Sequence, residues 1–237
     1  MAQASHQREP SSSNHHQDEA NVSGCMGERL IPSPEDQDCL DPLTKFMDQV
    51  AERPEAIAAV NDREHITYQE LNRRANQVSH WLQREGVGPE TIVGLCLDRS
   101  ISLVVTILGV IKAGGCLLPL DPSYPRNRLT YMVEDCQPLI VLTHERYVAV
   151  FQKGVTRSIC IKAIENNLTR ESSQNPANLL RTGNLRVIFY TSGSTGQPKG
   201  VMEIYRKILP TADSDQEQDL DETHSLKISS TDRMLVK

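Results

Sequence analysis

Tyr190-Thr191-Ser192-Gly193-Ser194-Thr195-Gly196-Gln197-Pro198-Lys199-Gly200 crowds hydroxyl side chains, glycines and one lysine behind the apolar run Val187, Ile188 and Phe189. That run predicts a short buried strand, and a flexible turn at a strand end is where backbone N–H groups can converge on an anion. Gly193 and Gly196 let the main chain approach such a ligand without a Cβ in the way. Thr191, Ser192, Ser194 and Thr195 add hydroxyl donors, and Lys199 adds a mobile positive charge. Pro198 restricts the residue before it and so limits where the lysine can point. The segment predicts a phosphate-holding turn. The competing reading is a Gly/Ser linker, which would seldom carry a single lysine between proline and glycine right after an apolar strand. The spacing is not that of a Walker-type loop: Gly193 and Gly196 are too close together, and Lys199 is followed by Gly200 instead of Ser or Thr.

Upstream of the turn, strand and helix signals alternate. Thr67 and Glu70 form a capping-box pattern, after which Leu71, Ala75, Val78 and Leu82 recur at helical spacing until Gly86. Ile92 to Leu97 predicts a buried strand, and Ser100 caps a second, largely apolar helix from Ile101 to Ile111 that stops at Gly114-Gly115. Cys116 to Leu120 is strand-like, Pro125 suits the first turn of a third helix with Leu129, Met132 and Val133 on one face, and Leu139 to Leu142 predicts another strand. This succession implies an α/β fold with a mostly parallel sheet flanked by helices.

The 237 residues, 38% of them hydrophobic, can bury a real core, and one domain is the expected count. Residues 1–40 are polar, punctuated by Ile31-Pro32-Ser33-Pro34, and predict a disordered leader in which His15-His16 has no matching ligand cluster. Asp213, Asp215, Glu217, Asp219, Asp221 and Glu222 predict a solvated acidic segment and lack the glycine and spacing of a calcium loop. A net charge of −6 without a basic stripe argues against nucleic acid as a partner. The start is not a basic-then-apolar leader, and the most apolar run is too short to span a bilayer, which argues against a membrane. Six cysteines without C-x-x-C or zinc spacing fit a reducing, cytoplasmic setting, with Cys96 and Cys116 as buried thiols. Asp121, in a Leu-Asp-Pro-Ser turn, is expected to bond local backbone N–H groups, and His65 to be a surface turn residue. Ser192 and Ser194 lie in no nucleophile elbow.

The Tyr190–Gly200 run resembles the phosphate-loop signature of adenylate-forming enzymes, and specifically of the amino-acid-activating adenylation domains of nonribosomal peptide synthetases. Ile66-Thr67-Tyr68-Gln69-Glu70-Leu71 is similar to that family's first core motif, and Ile111-Lys112-Ala113-Gly114-Gly115-Cys116-Leu117-Leu118-Pro119-Leu120-Asp121 to its second. The resemblance weakens after Val201: where the family commonly carries a His-Arg pair this chain has Tyr205-Arg206, and Ile228 to Leu235 again looks like family sequence. It implies the N-terminal part of the large subdomain of such an enzyme, incomplete, with residues 41–204 as a partial AMP-binding domain. Residues 205–237 would then be a divergent acidic segment and a truncated continuation.

By the same resemblance, Thr191, Ser192, Gly193, Ser194, Thr195, Gly196 and Lys199 would hold the β- and γ-phosphates of ATP with Mg2+. The reaction would join an amino-acid or other carboxylate to the α-phosphorus and release pyrophosphate. The acyl group would then load onto a phosphopantetheine carrier domain. The first two motifs contain no convergent nucleophile, base or metal set and are expected to build scaffold. The family's adenine, ribose, magnesium and substrate contacts lie in sequence beyond this chain, so little or no adenylation is expected of the polypeptide alone; a complementary synthetase segment would be its partner. A non-catalytic ATP-binding or interaction module and a fragment of an acyl-CoA synthetase-like ligase are the alternatives. A sheet cut midway would leave unpaired edges.

Overall fold

The structure, a computed structural model, describes residues 42–61, 64–151, 156–192, 198–205 and 234–235. The leader, His15-His16 and the acidic segment from Asp213 to Glu222 lie outside the described residues. Six strands form the main sheet in the order β6 (Arg157–Cys160), β5 (Ile140–Thr143), β3 (Ile92–Cys96), β4 (Cys116–Pro119), β7 (Leu185–Ser192), β8 (Pro198–Ile204). All neighbours run parallel except β7 and β8, which are antiparallel. A small sheet holds β1 (Ile57–Val60) between β2 (His65–Thr67) and β9 (Met234–Leu235).

The expected helices form for the expected reasons. In α2 (Tyr68–Arg84), the Thr67 side chain accepts a hydrogen bond from the Glu70 N–H at 3.3 Å, satisfying one orphan donor of the first turn. Only half of the capping box is built, because the Glu70 carboxylate turns instead to Arg73 and Arg74. Hydrogen bonding to Arg73 is the main reason that carboxyl is held down to about 2. Ser100 caps α3 (Ile101–Lys112) by accepting from the Leu103 N–H at 3.2 Å, and Gly86 and Gly114 take the left-handed backbone after the two helices. Pro125 is the residue before α4 (Arg126–Cys136) rather than part of its first turn, with Leu129, Met132 and Val133 buried on one face as expected. The strand expected from Leu139 begins at Ile140; Leu139 itself is exposed, its N–H bonded to the Ile92 carbonyl at 2.9 Å.

Two cores cover the two sheet faces. One joins Val93, Leu95, Leu117, Ile140, Leu142 and Val187 to α1 (Pro42–Glu52), α2 and α3; the other joins Cys96, Cys116, Leu118, Val141 and Ile188 to α4 and to α5 (Glu145–Phe151). Helix α6 (Ile161–Leu168) completes the first layer through Ile164 and Leu168. Consecutive strand residues alternate between the cores because side chains of a strand point to opposite faces. Cys96 and Cys116 are fully buried thiols, and burial pushes Cys96 up to about 11. Among the described residues, no helix is long and apolar enough to cross a membrane.

Candidate functional site

Parallel strands place the carboxyl ends of β3, β4 and β7 on one edge of the sheet, the edge where open α/β sheets bind ligands. Helices α3 and α4, which leave β3 and β4, pack on opposite faces, so a crevice opens between these two strands. A cavity of about 470 Å³ lies there, with Leu95, Leu117 and Pro119 in its wall and Asp98, Asp121 and Tyr147 among its polar lining. Asp98 bonds to Arg146 and to the Tyr147 hydroxyl at 3.4 Å. Asp121 accepts the Ser123 N–H at 2.8 Å, the local turn bond expected for it, and that bond is the main cause of its lowered carboxyl pKa. Neither carboxylate is poised as a base. His65, expected in a turn, is the exposed first residue of β2.

The Gly-rich segment is positioned by β7. Glu90 fixes the start of that strand, its Oε1 accepting from the Leu185 N–H and from the Asn184 amide, each at 3.0 Å. At the base of the hairpin, the Gly183 N–H donates to the Tyr205 carbonyl and the Tyr205 N–H to the Asn184 carbonyl, both at 2.9 Å. An irregularity between Leu185 and Val187 then lets Leu185 and Ile188 share one core while Val187 enters the other.

Strand β7 runs further than the sequence indicates. Thr191 and Ser192 are its last residues rather than the start of a turn, and Pro198-Lys199-Gly200 begins a strand of its own. The pairing sets Thr191 opposite Lys199 and Ser192 opposite Pro198. Directly opposed residues of an antiparallel pair project on the same face, so Thr191 and Lys199 share one face of the hairpin, both exposed. Gly193, Ser194, Thr195 and Gly196, the remaining expected phosphate ligands, lie outside the described residues. Phe189, expected to be buried, is 49% exposed, and its cross-strand partner Val201 is 45% exposed. The reason is position: the pair stands on the terminal hairpin, one step before Thr191 and Lys199 on the same face, where the helices of the first core no longer reach.

Hydroxyls and an ammonium on one face are donors for an oxyanion and not ligands for a bare metal. Among the described residues, no group of three His, Cys, Asp or Glu side chains could hold a metal ion. The donor types at this strand end suit an oxyanion.

One polar cluster had no sequence signal. Lys112, in the second motif, is buried with its Nζ donating to Asn72 Oδ1 at 2.7 Å, Asn76 Oδ1 at 2.9 Å, Asn175 Oδ1 at 3.1 Å and Met47 Sδ at 3.3 Å. Burial lowers its pKa to about 8. Asn76 also donates to the Ser173 carbonyl at 2.7 Å, so the cluster clamps the segment around residues 173–175 onto α2. The cluster ties α2, the end of α3 and this segment together.

Residues 46–236 match the AMP-binding enzyme family. The chain is 43% identical over 163 residues to tyrocidine synthase 3 of Brevibacillus parabrevis, a match covering 69% of this chain and 2% of that protein. It is 42% identical over 164 residues to gramicidin S synthase 2 of Brevibacillus brevis, covering 69% and 4% respectively. Among solved structures, the nonribosomal peptide synthetase FmoA3 with bound α-methyl-L-serine-AMP superposes with a TM-score of 0.61 at 26% identity, over 69% of this chain and 18% of that one. The N-terminal domain of FACL13 from Mycobacterium tuberculosis superposes with a TM-score of 0.62 at 22% identity, over 68% and 43%, a likeness of fold. The chain thus spans a few per cent of the length of the synthases it matches.

Proposed function

The chain belongs to the AMP-binding enzyme family, and from that premise we propose that it forms the phosphate-binding part of an adenylation domain that activates an amino acid as its aminoacyl-adenylate. The observation that carries this reading is the opposed pair Thr191 and Lys199 at the mouth of the Gly-rich turn. Thr191, Ser192, Gly193, Ser194, Thr195, Gly196 and Lys199 are assigned to the β- and γ-phosphates, with residues 41–204 as the nucleotide-binding unit. The family match reaching residue 236 supports taking 205–237 as a continuation of that unit.

Bound ATP supplies the electrophilic α-phosphorus and a pyrophosphate leaving group. The attacking carboxylate is already anionic and needs no general base. This chain contributes orientation and charge: Thr191 and Ser192 donate to phosphate oxygens from a strand end that is already ordered, and Lys199 meets charge accumulating on the departing pyrophosphate. Preorganised donors of this kind lower the barrier without having to reorient during the reaction. An amino acid is favoured over a fatty acid as the carboxylate because the relatives at 42–43% identity are peptide synthases. A carrier domain follows from the same kinship. In FmoA3, the adenylate bound is that of an α-methylated amino acid.

Calorimetric titration with Mg-ATP and Mg-pyrophosphate tests the site, with weaker binding in Lys199→Ala as the expected result. Equal heats in the two proteins would remove the phosphate assignment. Amino-acid-dependent pyrophosphate exchange after co-expression with a complementary downstream segment tests the substrate class, and exchange that responds only to fatty acids would move the chain to the acyl-CoA synthetase-like alternative.

A further inference from the structure

Tyr190 is the residue immediately before Thr191, and it projects onto the opposite face of the hairpin, toward α4. Its hydroxyl donates to the Asp135 carboxylate and lies 3.1 Å from Cys136 Sγ. Since the phenol's single hydrogen goes to the carboxylate, the thiol is the donor in the second contact. The ring meets Tyr131 edge-on, with centroids 6.4 Å apart and planes at 82°. Gly200 stands opposite Tyr190 in the pairing, and a Cβ there would lie 3.4 Å from the tyrosine Cζ and 3.5 Å from its hydroxyl. An alanine would just touch the ring and a larger side chain would displace it. The final glycine of the motif thus lies directly against the Tyr190 ring.

We propose that Tyr190 is a positioning residue for the phosphate-binding turn, its hydroxyl tethering the end of β7 to α4 through Asp135 and Cys136. The inference rests on the reading of the turn as a phosphate site. Strands β7 and β8 pair as the last two of the main sheet, with β8 at its edge. Toward the turn, the face of β7 beyond Val187 carries the exposed Phe189 and Thr191, with no helix over them among the described residues. On the other face, Tyr190 is the described side chain nearest the turn that reaches a helix. Holding it fixes where Thr191 and Ser192 present their hydroxyls, and, through the pairing with Lys199, where the lysine begins. Burial first, and the bond to Asp135 next, raise the phenol pKa, so the hydroxyl keeps its proton and its donor role across ordinary pH.

The test compares wild type with Tyr190→Phe, Asp135→Asn and Asp135→Ala, using Mg-pyrophosphate as the calorimetric probe and amide hydrogen exchange at Thr191, Ser192 and Lys199, with α2 as reference. Tyr190→Phe keeps the ring over Gly200 and removes only the tether. It should weaken pyrophosphate about three- to ten-fold, the effect of losing one hydrogen bond to a charged group from a local opening equilibrium. It should also speed exchange at the three amides while α2 stays unchanged. Asp135→Asn, which keeps an acceptor oxygen, should lie nearer wild type than Asp135→Ala. A Tyr190→Phe protein with wild-type affinity and wild-type exchange at the turn overturns the proposal, as does a uniform loss of protection that includes α2. Wild type that binds no pyrophosphate, while Tyr190→Phe still speeds exchange at the turn, overturns the phosphate reading and keeps the tether.

Discussion

Lys112 and Asn76 meet inside the protein, Nζ to Oδ1 at 2.9 Å, where every acceptor offered to the ammonium is neutral. The folded protein therefore holds a lysine at about 8 that titrates near 10.5 when unfolded. Between those values the unfolded chain binds more protons, so this group makes stability rise with pH through that window; below it the full cost of burying the charge is present. At about 1.4 kcal/mol per pKa unit the rise amounts to a few kcal/mol at most. Tyr190 works in the opposite direction at higher pH, because its raised phenol ionises more readily once unfolded. Urea unfolding of wild type and Lys112→Met from pH 7 to 10 isolates the lysine: the difference between their stabilities should shift steadily in favour of wild type above pH 8. A constant difference would contradict the buried charge.

Lys199→Ala should weaken Mg-pyrophosphate binding by about ten-fold or more, the scale of one charge-assisted hydrogen bond to an oxyanion. Lys199→Arg should recover part of the loss, since it keeps the charge but not the shape. Stability should change little, because Lys199 is exposed. Calorimetry paired with thermal melts separates the two readouts.

Gly109 of α3 packs tightly on α2: a Cβ there would lie 2.4 Å from Val78 Cγ1, 2.6 Å from Val78 Cβ and 3.3 Å from the Ala75 carbonyl oxygen. Gly109→Ala should cost about 1–3 kcal/mol by overpacking, despite alanine's better helix propensity. A Val78→Ala background removes the Cγ1 contact but keeps the Cβ that would stand 2.6 Å from the new methyl, so it should relieve only part of the cost, a coupling that a double-mutant cycle in urea measures directly.

Ser100→Ala removes the cap on α3 and should cost about 1 kcal/mol, with Ser100→Asp close to wild type. Chemical denaturation with an unchanged m-value would assign the loss to the native cap.

The helices were legible because their signals are local. The buried stripe of Leu71, Ala75, Val78 and Leu82 and the caps at Thr67 and Ser100 are written within a few residues of where they act. The hairpin was not. Pro198 and Gly200 read as turn residues, yet proline is tolerated as the first residue of an edge strand and Gly200 lies within β8 against the Tyr190 ring. The exposure of Phe189 follows from that unread hairpin. The Lys112 cluster was hidden for a different reason: a lysine in a last helical turn is ordinary, and its partners Asn72 and Asn175 lie far away in sequence. Of the candidate site, the residue types were readable, whereas the facing of Thr191 by Lys199 required the pairing.

Strand β4 is bridged to β3 by Ile92 and Cys116, about two dozen positions apart, but to β7 through Leu117 and Val187, about seventy apart. Loop-closure entropy grows with that separation, and non-local pairings mature late. The β4–β7 seam is thus the pairing of this strand that closes the longer loop. The hairpin of β7 and β8 therefore joins the rest of the sheet through the longest-range of these pairings, so whatever steadies that hairpin also holds together parts of the chain that lie far apart in sequence.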